Sequence, residues 1–384
     1  MVRKKILWLC SWYPGKAEPF NGDFVQRHAL AASLYHDITV IHVYADPTGQ
    51  ISKLTHHTHK RPGLGEEIIE FPKGKGMLSR LIAHLKMLRL YRKLIREYLK
   101  KEGMPDLVHV HVPIWAGASA LWLKKKYGIP YLLTEHWAIY NEEANDNFNT
   151  RSKRFRYFSK KIFEGATVFL SVCDYLANGV NRWVTPVKHV TIENAVDTGL
   201  FCPVDSGGPF RFIHISNMEE RKNVPAIIRS FARIAEGRDI SLLIVGPADD
   251  EIKKNAAAEN APIEFTGEIT YSEVAEKLKR SQALVLFSSV ENSPCVIGES
   301  LCCGVPVISS AAGGIPELLD TFNSILVRAG DEKALEQGMI SMLENYHSYD
   351  RDRIASLARQ RFSYQSIGKK ISDQYEAVAG ELNL

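Results

Sequence analysis

The sequence has no run of eighteen or more apolar residues, so no segment reads as a helix crossing a bilayer. Its six cysteines, Cys10, Cys173, Cys202, Cys295, Cys302 and Cys303, form no C-x-x-C pair and no zinc-finger spacing. That argues against a disulfide framework or a structural zinc and fits reduced thiols in a cytoplasmic setting. The apolar run 6–10 is too short for the core of an export signal and leads into polar sequence, so it reads as a buried strand. The stretch after that run, SWYPGKAEPFNGD, lacks the G-x-G-x-x-G of dinucleotide-dependent oxidoreductases. No nucleic-acid-binding signature is present, and no nucleic-acid partner is expected. His56, His57 and His59 have neither helical spacing nor acidic companions and read as a surface segment; no metal site and no cofactor are expected.

What is present is a soluble-type composition, 45% hydrophobic and 24% charged, with a sharp division of charge hidden in a net +4. Residues 1–190 hold 29 Lys+Arg against 16 Asp+Glu, or +13; the remainder holds 19 against 28, or −9. A basic half joined to an acidic half implies two domains with different partners, the basic one facing something anionic such as a membrane surface or lipid phosphate.

Short β-branched runs alternate with helical patterns along the whole chain, the signature of βαβ units and parallel sheets. Strands are expected at 5–10, 38–44, 107–112, 131–134, 167–172 and 189–193, and the series restarts at 212–216, 241–245, 263–266, 283–287, 305–309 and 324–327. The fold class is therefore α/β with two doubly wound, Rossmann-like domains. The turn-rich stretch VDTGLFCPVDSGGP marks the boundary, giving domains 1–195 and 196–363, with a final amphipathic helix in 364–384 packing back on the first. Ligands of such sheets sit beyond the carboxyl ends of the strands, so the site is expected in the cleft that the two domains face.

The most informative stretch is LFSSVENSPCVIGESLCCGVPVIS, residues 286–309. It reads as strand, tight loop, helix, strand. Ser293 suits the N-cap and Pro294 the first helical position, with Gly304 just past the helix end. The helix amino end then presents the N–H groups of Cys295 and Val296 and a partial positive charge, a site for a diphosphate. Glu291 precedes that end and Glu299 lies one turn beyond Cys295. Ionised carboxylates there are useful when the ligand also carries hydroxyl donors, as a sugar or ribose does. An ordinary capped helix with two solvent-facing glutamates is the competing reading.

Glu, seven residues, Glu, and then G-V-P-V-I resembles the donor-site motif of retaining glycosyltransferase family four, of the GT-B fold, in its bacterial envelope-polysaccharide type. Other segments match in the expected order: SWYPGKAEPFNGDF with Gly22, TEHW with His136, TIENAVDTGLF, HISNMEERKN with Lys222, LLIVGPADD, IEFTG and GGIPELL. The resemblance spans nearly the full chain. It implies a nucleoside-diphosphate sugar as donor, uridine diphosphate sugars first and guanosine diphosphate mannose second. It also implies a glycan or lipid-linked acceptor. By the same resemblance Gly22 approaches the donor phosphates, His136 meets the transferred sugar, Lys222 holds phosphate, Glu291 the sugar hydroxyls and Glu299 the ribose. Ala195 and Asn217 depart from the pattern. Where Asn217 stands the family commonly has arginine, and Arg221, beside Lys222, is the residue able to supply that charge. Asn292-Ser293-Pro294 replaces the usual glycine-rich loop. Glu135 is expected to be turned away by its strand. A sugar-nucleotide epimerase of the same fold and a non-catalytic nucleotide-sugar-binding protein are the alternatives. The segment 76–101, with Leu78, Leu81, Leu85, Leu88, Ile95 and Leu99 beside a basic stripe, reads as a domain helix or as one docking on anionic lipid.

Overall fold

The computed structural model describes residues 2–205 and 207–381, which divide into two compact units. The first comprises Met1–Ala195 and Tyr364–Leu384, the second Val196–Ser363. Among the described residues no helix is long and apolar enough to cross a membrane.

The strands of the first unit are β1 (Lys5–Cys10), β2 (Asp37–Asp46), β3 (Thr55–Arg61), β4 (Leu64–Pro72), β5 (Leu107–His111), β6 (Tyr131–Glu135), β7 (Val168–Ser171) and β8 (His189–Thr191). They form one sheet in the order β3-β4-β2-β1-β5-β6-β7-β8. Only β3 runs antiparallel to its neighbour. Helices α1 (Asp23–Ser33), α2 (Met77–Glu102), α3 (Ala116–Tyr127), α4 (Lys153–Gly165) and α5 (Asp174–Trp183) connect the strands. Both faces are covered, which is why β1 is continuously apolar instead of alternating. Leu7 and Leu9 pack into one core with Tyr91, Val108 and Leu133, while Ile6, Trp8 and Cys10 pack into the other with Val25, Val40 and Leu132.

The second unit has β9 (Phe210–Ile215), β10 (Ile240–Val245), β11 (Ile263–Gly267), β12 (Ala283–Leu286), β13 (Val307–Ser310) and β14 (Ser324–Val327), ordered β11-β10-β9-β12-β13-β14 and all parallel. Its helices are α6 (Val224–Ala235), α7 (Asp250–Ala258), α8 (Tyr271–Lys279), α9 (Cys295–Cys302), α10 (Glu332–Asn345) and α11 (Arg351–Phe362).

The chain then returns to the first unit as α12 (Tyr364–Glu381). Ile367, Ile371, Tyr375 and Val378 recur at helical spacing and are buried in the core that holds Trp8. Gly368 lies so close to α1 that a Cβ there would sit 2.1 Å from the Ala31 carbonyl oxygen. Tyr375 Oη accepts from Trp8 Nε1 at 3.0 Å and bonds His109 Nδ1 at 2.7 Å.

The β3–β4 hairpin is not anticipated by the sequence pattern. Thr55–Arg61 is nearly all polar and exposed, because β3 is an edge strand. His56, in the segment read as surface, bonds Glu67 of β4 at 2.7 Å. In α2 the expected apolar face divides: Tyr91, Leu94, Ile95 and Tyr98 are buried, whereas Leu78, Leu81 and Leu85 are 71%, 45% and 46% exposed. The amino-terminal half of that helix has its leucines in solvent.

Candidate active site

In the second unit the strand order reverses between β9 and β12, so the loops leaving both strands open on one crevice. The β9 loop makes two left-handed turns, at Met218 (φ 58°) and Asn223 (φ 49°), around a single 3-10 turn, Glu220–Lys222. That turn carries Lys222 inward. The β12 loop is stitched to it by Ser289 N–H donating to the Arg221 carbonyl at 2.8 Å. The consequence is an ion pair between Lys222 Nζ and Glu291 Oε1, with Arg221 Nη1 3.2 Å from Glu291 Oε2. The Lys222 and Glu291 side chains are only 11% and 7% exposed. Arg221 is further held by Glu219 at 2.6 Å, so it does turn toward the site. Asn217 Oδ1 accepts instead from the Glu219 N–H at 3.4 Å and stays with its own loop.

Helix α9 begins one residue later than its sequence implies. Pro294 occupies the N-cap in an extended conformation, no side-chain cap bond forms, and Cys295 is the first helical residue. The expected Ser293 cap is thus corrected: with Pro294 at φ −66° and ψ 120° the chain enters the helix only after the proline. Cys295 and Val296 still occupy the first turn. Glu299 is buried and accepts a hydrogen bond from Tyr271 Oη of α8 at 3.0 Å, so it is no solvent-facing glutamate.

In the first unit the corresponding reversal lies between β1 and β5. Gly22 ends the long loop after β1 and caps α1 at φ 70°. A Cβ there would lie 2.6 Å from the Trp12 carbonyl carbon, so only glycine fits. The loop is anchored by two buried carboxylates of β4: Tyr13 Oη donates to Glu66 at 2.6 Å and Ala17 N–H to Glu70 at 2.8 Å.

His136 follows β6. Its ring lies among those of Phe24 (4.7 Å between centroids), His28 (5.6 Å) and His111 (5.8 Å). Burial pushes His136 and His111 well below the ordinary imidazole range and His28 down to about 4, so all three are neutral at pH 7. Glu135 is not turned away, as its strand position implied. It is fully buried and accepts from the backbone N–H groups of His136 at 2.7 Å and Trp137 at 2.9 Å. Burial raises its carboxyl to about 7. It shapes the turn that presents His136. His28 and His111 are site neighbours that sequence reasoning did not find. The one available signal was the HVH alternation ending β5, and the strained Val112 just beyond it (φ 61°) is visible only in the fold.

Two Rossmann-like units, the second presenting a buried Lys–Glu pair at its switch point, define a glycosyltransferase of the GT-B kind. Comparison with known proteins agrees. Residues 27–200 match the family model for Glycosyltransferase Family 4 and residues 204–361 that for Glycosyl transferases group 1. The chain is 27% identical to N-acetyl-alpha-D-glucosaminyl L-malate synthase of Bacillus anthracis, over 73% of this chain and 76% of that protein. It is 23% identical to the putative teichuronic acid biosynthesis glycosyltransferase TuaC of Bacillus subtilis, over 97% and 98% of the two chains. Among solved structures, sucrose-phosphate synthase of Thermosynechococcus elongatus superposes with a TM-score of 0.77 at 18% identity, covering 98% of this chain and all of that one. HepE of Anabaena, solved in complex with UDP, gives 0.72 at 16% identity, over 97% and 100%. The chain belongs to glycosyltransferase family four, which sets the epimerase reading aside.

Proposed function

We propose that this glycosyltransferase moves a hexosyl or N-acetylhexosaminyl group from a nucleoside-diphosphate sugar, with retention and without a metal requirement. Its acceptor is a cell-envelope polysaccharide, such as lipopolysaccharide or capsule, or a lipid-linked glycan on the cytoplasmic face of the membrane. The Lys222–Glu291 pair carries the reading. Leaving of a nucleoside diphosphate builds negative charge on phosphate, and a preorganised cation there is worth most where water is excluded. Lys222, Arg221 and the amino end of α9 serve the diphosphate, Glu291 the sugar hydroxyls and Glu299 the ribose. Gly22 gives the phosphates room and His136 bonds the transferred sugar. The second unit is then the donor domain and the basic first unit the acceptor domain. The leaving phosphate takes the acceptor's proton on the same face; a trapped covalent glycosyl-enzyme would overturn that route. A neighbour solved with UDP supports a UDP-sugar as first donor, and GDP-mannose, which one relative's name carries, stands second.

A melting panel with uridine, guanosine and adenosine diphosphates and NAD tests the donor. A ligand at a hundredfold its dissociation constant stabilises by about 2.7 kcal/mol. One nucleoside diphosphate is expected to raise the melting temperature; a response to NAD alone, or to none, would sink the reading.

For the acceptor side, the exposed leucines of α2 border a groove of about 310 Å³ lined by Leu81, Leu85, Trp115, Phe155 and Phe158. Arg80, Lys86 and Arg89 on the same helix supply the charge for an anionic lipid surface. Sedimentation with phosphatidylglycerol vesicles is expected to exceed that with neutral ones; equal binding removes the electrostatic claim.

A further inference from the structure

We propose that His28, His111 and His136 form a transition-metal site inside the first unit, taking one divalent ion of the zinc class. One ring nitrogen from each lies within 4.8 Å of the others. The three come from α1, the end of β5 and the turn after β6, so the sheet's reversal has collected them from separate elements.

The Glu193 carbonyl fixes the tautomer of His28. Its Nε2 lies 3.0 Å from the Glu193 carbonyl, which can only accept, so Nε2 carries the proton and Nδ1 keeps its lone pair. A backbone carbonyl on the far nitrogen is the outer partner that metal-bound imidazoles habitually have. His111 is the decisive member. It is 0% exposed, and neither of its ring nitrogens makes a hydrogen bond. Trp8 and His109 clamp its ring at 4.1 and 4.2 Å. His109 itself differs, because that ring has both nitrogens bonded, to Tyr375 and Thr134, each at 2.7 Å. A buried imidazole without partners is costly, and an ion at the centre of the trio would take up the lone pair of one of its two ring nitrogens.

Tetrahedral zinc at 2.0–2.1 Å from each ligand holds the nitrogens about 3.3 Å apart, so the rings must draw together by about 1.5 Å at most. His136, on the turn and only half-buried, is the member able to move. Three imidazoles and no carboxylate suit zinc, cobalt, nickel or copper and reject magnesium and calcium. This is not a phosphate-activating metal. Where the role proposed above for His136 holds, occupancy removes that imidazole from the donor and inhibits transfer.

Cobalt(II) is the probe, added to chelator-stripped full-length protein. The visible bands of four-coordinate cobalt are expected at one equivalent per chain, displaced by zinc. They should persist when the three histidines of β3 are removed together (His56→Ala, His57→Ala, His59→Ala) and vanish in His111→Gln. No such bands in the wild type, or bands lost with the β3 histidines, would overturn the site even if His111→Gln fails to fold. Transfer is expected to run at full rate in chelator and to fall at least tenfold with zinc. Cobalt bands with zinc-insensitive transfer would leave the site standing and overturn the inhibitory consequence, together with the role of His136.

Discussion

Lys222→Ala is expected to cost transfer and stability together. Removing one partner of a buried pair leaves Glu291 with Arg221 alone, at a cost of about 3–5 kcal/mol. For a unit the size of Val196–Ser363 that lowers its melting temperature by roughly 10 °C. Loss of the phosphate cation should lower turnover by about 10²–10³. Stability and chemistry then separate in the double variant. Lys222→Met with Glu291→Gln removes both charges, so most of the lost melting temperature should return while transfer stays low. A double variant no more stable than Lys222→Ala would mean the pair does not hold the two loops. Unchanged turnover in Lys222→Ala would remove the lysine from the mechanism.

Acid should destabilise the first unit far more than the second. His28 and His42 are lowered to about 4, and His109, His111 and His136 lie well below the ordinary value of 6.5, burial being the main cause in each. Among the described residues the second unit has one comparable group, His214, also near 4. Below pH 6.5 the unfolded imidazoles bind protons and the folded ones do not, so stability is full above that pH and is lost as pH falls toward 4. At pH 5 His28 and His42 each withdraw about 2 kcal/mol, a sizeable part of a domain's stability, and His109, His111 and His136 act in the same direction. Glu135 acts in the opposite direction. Its carboxyl, raised to about 7, keeps its proton in the folded state between about pH 4.5 and 7 and returns about 2–3 kcal/mol as pH falls. Five outweigh one. Calorimetry from pH 8 to 5 should show two transitions, one moving down steeply and the other little. Parallel movement of both would contradict the buried neutral imidazoles.

The residues proposed for the donor side were read by two routes: Glu291 and Glu299 from the strand, loop and helix pattern of 286–309, Lys222 only from the resemblance of HISNMEERKN to the family's phosphate-binding segment. Their mutual pairing was not legible. Glu291 meets Lys222 only because β9 and β12 are neighbours in the sheet although the two residues lie 69 positions apart, which no local period encodes. The same limit hid the histidine trio. The cap of α9 failed for a different reason. Serine before proline reads as N-cap and first turn, yet proline's own ψ decided the entry point. β3 escaped because an edge strand of polar residues carries no alternation to read. Glu135 was misplaced because a strand's alternation stops governing direction at its last residue, where the carboxylate folds back on the next two peptides.

The return of α12 to the first unit has a consequence on the ribosome. Trp8 meets Tyr375 across 367 positions, and between them lies every residue of the second unit. At about 5–20 residues per second the 168 positions from 196 to 363 take roughly 10–30 s to synthesise. Throughout that interval the emerging first sheet has the face around Trp8, Val40 and Leu132 uncovered by its last helix. The unit begun first is therefore completed last, and its half-covered sheet is the natural client of a chaperone while the second unit folds ahead of it.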